Sequence, residues 1–115
     1  MELLKLTKEL NLDSLCGDSD STTKVTGGYA SDLMSDVIAK AKKGYIWVTN
    51  QKHMNIVAVA SLLGLAGVII AGGLKPDENT VKKAREENVP LFTTDQPAFN
   101  VVGMLYSLGV RADGG

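Results

Sequence analysis

Polar side chains that could bind an anion or transfer a proton follow three short apolar stretches of the sequence. YIWVT is followed by NQKHMN, GVII by AGG, and LF by TTD. Amide, hydroxyl and imidazole groups beside backbone N–H groups could hold an anion or a phosphate. His53 and Asp95 could instead act as an acid–base pair. Either chemistry requires a fold that brings the three stretches to one place.

A pair of glycines, Gly27 and Gly28, adds a fourth feature. It lies in KVTGGYASD, between an extended stretch and the start of a helix. Glycine permits a tight turn with positive φ, and it also allows a ligand to approach the backbone closely. The sequence leaves both interpretations open.

The order of the secondary-structure patterns predicts how these stretches are arranged. From Tyr45 onward, short β-branched strands alternate with single helices, which implies right-handed crossovers and a parallel sheet. We therefore expect an α/β fold, a three-layer sandwich with a mainly parallel sheet built from successive strand–helix units. Its main helices are expected at about residues 31–43, 52–63, 75–90 and 95–108.

The N-terminal part predicts a short helix over residues 2–10 and two extended segments, LDSLCG and TTKVTGGY, separated by the polar turn DSDS. A chain of 115 residues fits a single domain, residues 1–115. We expect its core at about residues 12–109 and a frayed tail at residues 110–115.

In open α/β sheets, ligands bind at the carboxyl ends of the parallel strands. The loops after the three apolar strands meet at that edge, and the glycine pair joins them if TKVTGGY runs parallel. Helix N-termini at the same edge would present N–H groups to an anion. The expected ligand-binding residues are Thr26, Gly27, Gly28, Asn50, Gln51, His53, Asn55, Gly72, Gly73, Thr93, Thr94 and Asp95.

Each of these features also has a purely structural interpretation. Gly72 and Gly73 could merely turn the chain, and His53 could merely bond a neighbouring loop. Thr94 or Asp95 could be a helix cap, as could Asp77 for the preceding helix. Ser31 or Asp32 is the expected cap of the first large helix.

Composition argues against several classes of function. Lys and Arg number 12 against 13 Asp and Glu, without a basic stripe, so we expect neither a nucleic-acid nor a membrane surface. Cys16 is the single cysteine, which excludes an intramolecular disulfide and a cysteine-based zinc site, and we interpret it as a small hydrophobe at a strand end. We expect no metal and no cofactor.

Sequence signatures of known catalytic sites are missing. There is no G-x-x-x-x-G-K-[ST] loop, no G-x-G-x-x-G helix start and no G-x-S-x-G elbow. No complete catalytic constellation can be assembled, so we do not expect an enzyme.

The uncharged run from Met54 to Leu74 is long enough to span a bilayer. Its four glycines and its change from helical to β-branched character indicate a buried helix followed by a strand. The N-terminus lacks the features of a signal peptide, so we expect a cytoplasmic protein.

The last helix is more apolar than one buried stripe requires. It is either deeply packed or part of a subunit interface, and a small, nearly neutral chain favours self-association. We expect a homodimer. The apolar positions of this helix are Phe99, Val102, Met104, Leu105, Tyr106 and Leu108.

Several stretches of the sequence together resemble a known protein family. The stretch from KVTGGYASDL through NQKHMNIVAVA to IIAGG resembles the DRTGG domain family, over about Thr23 to Leu108. The naming motif is present as Thr26-Gly27-Gly28, with Lys24 and Val25 where the family name has Asp and Arg.

The resemblance implies a regulatory or dimerising module. DRTGG domains lie between CBS domains in some pyrophosphatases and are similar to the N-terminal domain of HPr kinase/phosphorylase. Small stand-alone members resemble proteins encoded beside iron hydrogenase genes, sometimes labelled serine kinases, although the P-loop that such a kinase needs is missing here.

The sequence thus predicts a non-catalytic, dimerising regulatory or interaction module. It would sense a small anionic ligand such as a nucleotide, with a redox enzyme as a candidate partner. The alternatives are a small enzyme that uses His53 and Asp95 as acid and base, and a purely structural adaptor.

Overall fold

A five-stranded sheet forms the centre of the protein. The computed structural model describes residues 1–16 and 22–113, so the expected DSDS turn and the end of the expected tail lie outside the described residues. The strands lie in the order β1-β5-β4-β3-β2. Their bounds are β1 Asp13–Cys16, β2 Gly27–Ala30, β3 Tyr45–Thr49, β4 Gly67–Ile70 and β5 Leu91–Thr93.

Four of the five strands run in the same direction. The β2–β3, β3–β4 and β4–β5 pairs are parallel, whereas β1 pairs antiparallel with β5 at the other edge of the sheet. The predicted α/β fold with a mainly parallel sheet is confirmed. The helices are α1 Leu3–Glu9, α2 Met34–Lys40, α3 Asn55–Leu63, α4 Glu78–Glu87 and α5 Ala98–Ser107.

The helices cover both faces of the sheet. Residues of α2, α3 and α4 form one apolar cluster with Tyr45 and Trp47, while residues of α1 and α5 form a second cluster with Ile46 and Val48. Successive residues of β3 thus face opposite layers, and every residue of the strand is buried. This is why the strand has an uninterrupted apolar pattern.

The uncharged run from Met54 to Leu74 divides as its sequence predicts. Its first half forms α3, which ends at Gly64 in the left-handed conformation, with φ of 67°. Its second half contains β4, which is fully buried between two parallel neighbours. Within residues 1–16 and 22–113, no helix has the length and apolar character needed to cross a bilayer.

Residues 110–112 differ from the expected frayed tail. Val110 is 9% exposed and packs in the α1–α5 layer. The carbonyl of Arg111 accepts a 3.0 Å hydrogen bond from the Gly28 N–H, and the carbonyl of Ala112 accepts one of 2.9 Å from the Tyr45 hydroxyl. The C-terminal segment is therefore held against the start of β2 and β3.

A polar contact joins β2 to α2. The Tyr29 hydroxyl lies 2.9 and 3.0 Å from the two carboxylate oxygens of Asp36, and the Lys40 ammonium lies 3.3 Å from that carboxylate. The hydrogen bond from Tyr29, assisted by Lys40, lowers the pKa of Asp36. The charged form of Asp36 is therefore favoured in the folded state.

This contact predicts an acid-sensitive part of the stability. Because the pKa of Asp36 is lower in the folded than in the unfolded protein, its contribution is present above the ordinary aspartate pKa of about 4 and is lost as pH falls through the folded value. We expect Asp36→Asn to lower the melting temperature at neutral pH, and the difference from wild type to shrink as the pH falls below the ordinary aspartate pKa. A difference that does not change with pH would contradict this assignment.

Candidate functional site

The carboxyl ends of the parallel strands form a polar edge of four loops. These are residues 31–33 after β2, 50–54 after β3, 71–77 after β4 and 94–97 after β5. The strands are parallel, so their ends lie side by side, as the sequence predicts. We call this group of loops the carboxyl edge.

Asp32 connects the first two loops. One of its carboxylate oxygens accepts hydrogen bonds of 2.7 Å from both the Thr49 hydroxyl and the Asn50 backbone N–H. The Gln51 side-chain amide donates to the Asp32 carbonyl at 3.2 Å. Asp32 therefore fixes the loop after β3 and does not cap α2, whose N-cap position is occupied by Leu33.

The loops after β3, β4 and β5 are also tied together. The Asn50 side-chain amide donates to the Ala71 carbonyl at 3.1 Å. The Gly73 N–H donates to the Thr94 carbonyl at 2.9 Å, and the Gly72 N–H donates to the Gln96 carbonyl at 2.8 Å. The carboxyl edge is therefore a hydrogen-bonded surface with a defined shape.

Gly72 and Gly73 have φ of 77° and 74°, the left-handed conformation that favours glycine. A Cβ on Gly72 would lie 3.0 Å from the amide nitrogen of Asn50, and one on Gly73 would lie 3.5 Å from an Asp95 carboxylate oxygen. The pair thus turns the chain, which is one of the two roles the sequence left open, and it brings the Asn50 and Asp95 loops close together.

His53 pairs with a carboxylate other than the one considered for catalysis. Its Nδ1 lies 2.8 Å from an Asp77 carboxylate oxygen, at an exposed position. In the part of the chain that the structure describes, Asp77 is the acidic residue within ion-pair distance of His53. The Asp77 side chain was expected to cap α4, but it makes no capping hydrogen bond because His53 engages it.

Besides α2, three described helices begin at the carboxyl edge. The N-cap positions of α3, α4 and α5 are Met54, Asp77 and Pro97, and none of these described residues makes a side-chain capping bond. Neither Thr94 nor Asp95 caps α5; the Thr94 hydroxyl accepts a bond from the Gln96 N–H at 3.2 Å. N–H groups of the first helical turns thus face this edge without side-chain caps, an arrangement that favours anions.

The structure places most of the expected ligand-binding residues together. The strand or loop position of each member puts it on the carboxyl edge or at the first turn of α3. Thr94 is buried, whereas His53 and Asp95 are exposed. These residues are Asn50, Gln51, His53, Asn55, Gly72, Gly73, Thr93, Thr94 and Asp95.

The expectation that Thr26, Gly27 and Gly28 share this edge was wrong. β2 begins at Gly27, so these residues lie at the amino end of the strand, opposite the carboxyl edge. Neither glycine has positive φ, which also excludes the expected turn. The Thr26 hydroxyl donates to the Lys43 carbonyl at 3.0 Å.

The glycine pair instead makes room for close packing. A Cβ on Gly27 would lie 2.5 Å from Cε1 of Tyr45 and 2.9 Å from the Arg111 carbonyl oxygen. A Cβ on Gly28 would lie 2.8 Å from Cγ1 of Val110. The backbone is approached closely, as glycine permits, by the Tyr45 ring and by the C-terminal segment of the same chain.

Sequence reasoning missed a cavity beside this packing. It has a volume of about 300 Å³ and lies between β2, α5 and the C-terminal segment, with Val102, Tyr106 and Arg111 in its wall. Glycines within a strand were the available signal, because they mark a close approach of backbone. From the sequence alone this signal fits a turn or a ligand equally, and only the structure places the C-terminal segment against the glycines.

One further residue, Cys16, has a side chain that could take part in chemistry. Cys16 lies at the end of β1, as predicted, and its sulfur lies 3.5 Å from the Val89 carbonyl. No three His, Cys, Asp or Glu side chains converge as metal ligands would, in a search confined to the described residues.

The sheet and its two helical layers define a three-layer α/β domain. Within that class, the chain belongs to the DRTGG domain family, whose model matches residues 5–108. The resemblance of the sequence to this family is thereby confirmed. No curated protein matches the sequence.

A solved structure with a similar fold is a crystal structure of the CBS and DRTGG domains of the regulatory region of Clostridium perfringens pyrophosphatase, complexed with its activator, diadenosine tetraphosphate. The TM-score is 0.66 at 14% sequence identity. The match covers 90% of this chain and 45% of the pyrophosphatase chain, so this chain spans less than half of that protein fragment.

Proposed function

We propose that the protein is a non-catalytic regulatory module that dimerises through α5 and senses a small anionic ligand, such as a nucleotide, at the carboxyl edge. Membership of the DRTGG domain family is the observation that carries the proposal. The similar fold in the regulatory region of a pyrophosphatase supports a regulatory role over a catalytic one. The pairing of His53 with Asp77 gives no support to an acid–base role with Asp95.

Three features support an anion at the carboxyl edge. The starts of α3, α4 and α5 converge there without side-chain caps in the described residues. Each helix N-terminus stabilises a nearby negative charge by roughly 0.3–1 kcal/mol. Lys52 and Lys75, both exposed, lie in the loops after β3 and β4 and add positive charge.

The setting that we propose is a cytoplasmic redox system. This setting rests on the resemblance of small stand-alone family members to proteins encoded beside iron hydrogenase genes. A module of this kind would pass information about a nucleotide to its enzyme partner and would not itself turn over substrate.

Ligand binding is tested by thermal shift followed by calorimetric titration with AMP, ATP and diadenosine tetraphosphate. We expect at least one of them to raise the melting temperature, because a ligand that binds the folded state stabilises it. His53→Ala and Lys52→Ala should weaken binding of that nucleotide. Thr26→Ala, at the opposite edge of the sheet, is the matched control and should leave the affinity unchanged. Equal affinities in all folded variants would exclude this edge.

The outer face of α5 supports dimerisation. Phe99 is 88% exposed, Tyr106 59% and Val102 39%, which places three large apolar side chains on one surface. Such patches mark protein interaction sites. Gly103 lies among them, and apart from its chain neighbours and the nearby backbone of its own helix, no described atom would lie within 4 Å of its Cβ.

A glycine in the middle of a helix costs about 1 kcal/mol relative to alanine. No described neighbour requires glycine at position 103, whereas a partner helix that approaches closely would require it. A two-fold interface would place the same face of both copies in contact. We define the α5 face as Phe99, Val102, Gly103 and Tyr106.

The dimer predicts a specific response to charge. At micromolar concentration, light scattering should give about twice the chain mass of 12.2 kDa. Phe99→Asp should give the monomer mass, because it buries an unpaired charge in the interface. Leu62→Asp is the matched control, since Leu62 is 73% exposed on α3 in the opposite layer. A wild-type monomer, or equal disruption by both variants, would refute an α5 interface.

A further inference from the structure

The cavity beside β2 has the form of a small-molecule site. Its volume of about 300 Å³ is at the lower end of the range for ligand pockets. Val48 forms its floor on the sheet, and Val102, Leu105 and Val110 contribute apolar wall from α5 and the C-terminal segment. An apolar molecule would lose its contact with water by entering this space.

Arg111 places a cation in the wall of the cavity. Its Nη1 donates to the carbonyl oxygens of Tyr106 at 2.7 Å and Val110 at 3.0 Å, and its Cζ lies 3.5 Å from the centroid of the Tyr106 ring. These contacts hold the guanidinium at a fixed position. Arg111 takes part in none of the three ion pairs of the described residues.

The remaining donors of Arg111 suit a carboxylate. Guanidinium has five N–H donors in a planar fork, and the two hydrogen bonds to backbone carbonyls use Nη1. Nε and Nη2 form the side of the fork that binds carboxylates in a bidentate manner. Both the positive charge of Arg111 and the geometry of its remaining donors therefore favour a carboxylate.

The edge of the sheet supplies a second donor. The Gly28 N–H points away from β3 to the Arg111 carbonyl, whereas the Ser31 N–H points to the Val48 carbonyl of β3. Since successive residues of a strand alternate in direction, the Ala30 N–H points away from β3, on the side of the cavity. β2 is the last strand of the sheet, so none of the strands in residues 1–16 and 22–113 pairs with this group.

We propose that this cavity binds a small apolar carboxylate, the size of an aromatic or branched aliphatic acid. The apolar body occupies the space between β2 and α5, and the carboxylate pairs with Nε and Nη2 of Arg111. The Ala30 N–H donates to a polar atom of the same ligand. The site is separate from the nucleotide site proposed at the carboxyl edge and does not depend on it, but it shares Val102 and Tyr106 with the α5 face proposed for dimerisation.

The probe is 3-phenylpropanoate, compared with its neutral amide, 3-phenylpropanamide, which has nearly the same shape. We expect calorimetric titration to show millimolar or tighter binding of the acid, with the amide at least about tenfold weaker, because a charge-assisted hydrogen bond is lost. In amide NMR spectra, the acid should shift the signals of Ala30, Val110 and Arg111.

Two variants test the assigned contacts. Arg111→Gln should reduce the affinity for the acid by about tenfold or more, whereas Arg85→Gln on α4, in the opposite layer, should leave it unchanged. Ala30→Phe fills the cavity from an exposed position and should abolish binding, which provides a second test if Arg111→Gln does not fold. Absence of binding by wild type at millimolar acid, equal affinity for acid and amide, or full binding by either folded cavity variant would overturn the proposal.

Discussion

Replacement of Trp47 by alanine is expected to lower the free energy of unfolding by roughly 3–5 kcal/mol. The Trp47 side chain is fully buried in the middle of β3, within the layer formed by α2, α3 and α4. Its removal would leave a cavity that the rigid sheet cannot close. It would also remove the 2.8 Å hydrogen bond from Nε1 to the Ser31 carbonyl. A domain of this size is stable by about 5–15 kcal/mol, so the loss is a large fraction of the total.

The measurement is urea denaturation followed by far-UV circular dichroism, because Trp47 is the single tryptophan and its fluorescence is lost in the variant. Trp47→Phe, which keeps a ring but loses the N–H donor, should show an intermediate loss. Leu62→Ala, at a position 73% exposed, is the control and should change the stability by less than about 0.5 kcal/mol. A loss below about 1 kcal/mol for Trp47→Ala would contradict a rigid core, because it would mean that the surrounding side chains close the cavity.

The second large effect is expected for Gly27→Ala, at roughly 1–3 kcal/mol of lost stability. The added Cβ would lie 2.5 Å from Cε1 of the Tyr45 ring and 2.9 Å from the Arg111 carbonyl oxygen. The ring cannot move aside freely, since Tyr45 is 2% exposed and its hydroxyl bonds the Ala112 carbonyl at 2.9 Å. One methyl group thus forces either the ring or the C-terminal segment out of place.

Thr26→Ala is the control for this prediction. Thr26 is the exposed neighbour of Gly27, and its hydroxyl makes a single exposed hydrogen bond, so its loss should cost less than about 1 kcal/mol. Amide exchange would show where the strain is released: in Gly27→Ala, the protection of the Gly28 N–H should fall, because its acceptor is the Arg111 carbonyl. A Gly27→Ala variant as stable as wild type would mean that no close packing occurs there.

The sequence by itself determined where the helices and the inner strands lie along the chain, although not the order of the strands in the sheet. YIWVT, GVII and LFT are short, apolar and bounded by turn residues, and each forms a parallel strand. The glycines and β-branched residues of Met54–Leu74 predicted its division into a helix and a strand. Such patterns are local, so hydrophobic periodicity and the positions of turn residues are sufficient to predict these helices and strands.

The sequence also determined much of the carboxyl edge. Asn50, Gly72 and Thr94 follow successive parallel strands, and parallel strands must end side by side. Their proximity therefore follows from the order of elements, without knowledge of any side-chain contact.

Tertiary structure decided which partner each polar side chain takes. Asp32 and Asp77 have the residue type and position of helix caps, yet they bond Thr49 and His53 across neighbouring loops. A carboxylate engages whichever donor the fold brings within reach, and these donors come from the end of β3 and the loop that follows it. Local propensity cannot predict whether such a carboxylate caps its helix or bonds a donor from another part of the chain.

Tertiary structure also decided the role of Gly27 and Gly28. The atoms that exclude a side chain there belong to Tyr45, Val110 and Arg111, which are distant in the sequence. The same contacts order the C-terminal segment and close one wall of the cavity that contains Arg111. A glycine in a strand indicates that other atoms approach the backbone closely. Which atoms these are depends on where the core places segments that are distant in the sequence, so only the tertiary structure decides it.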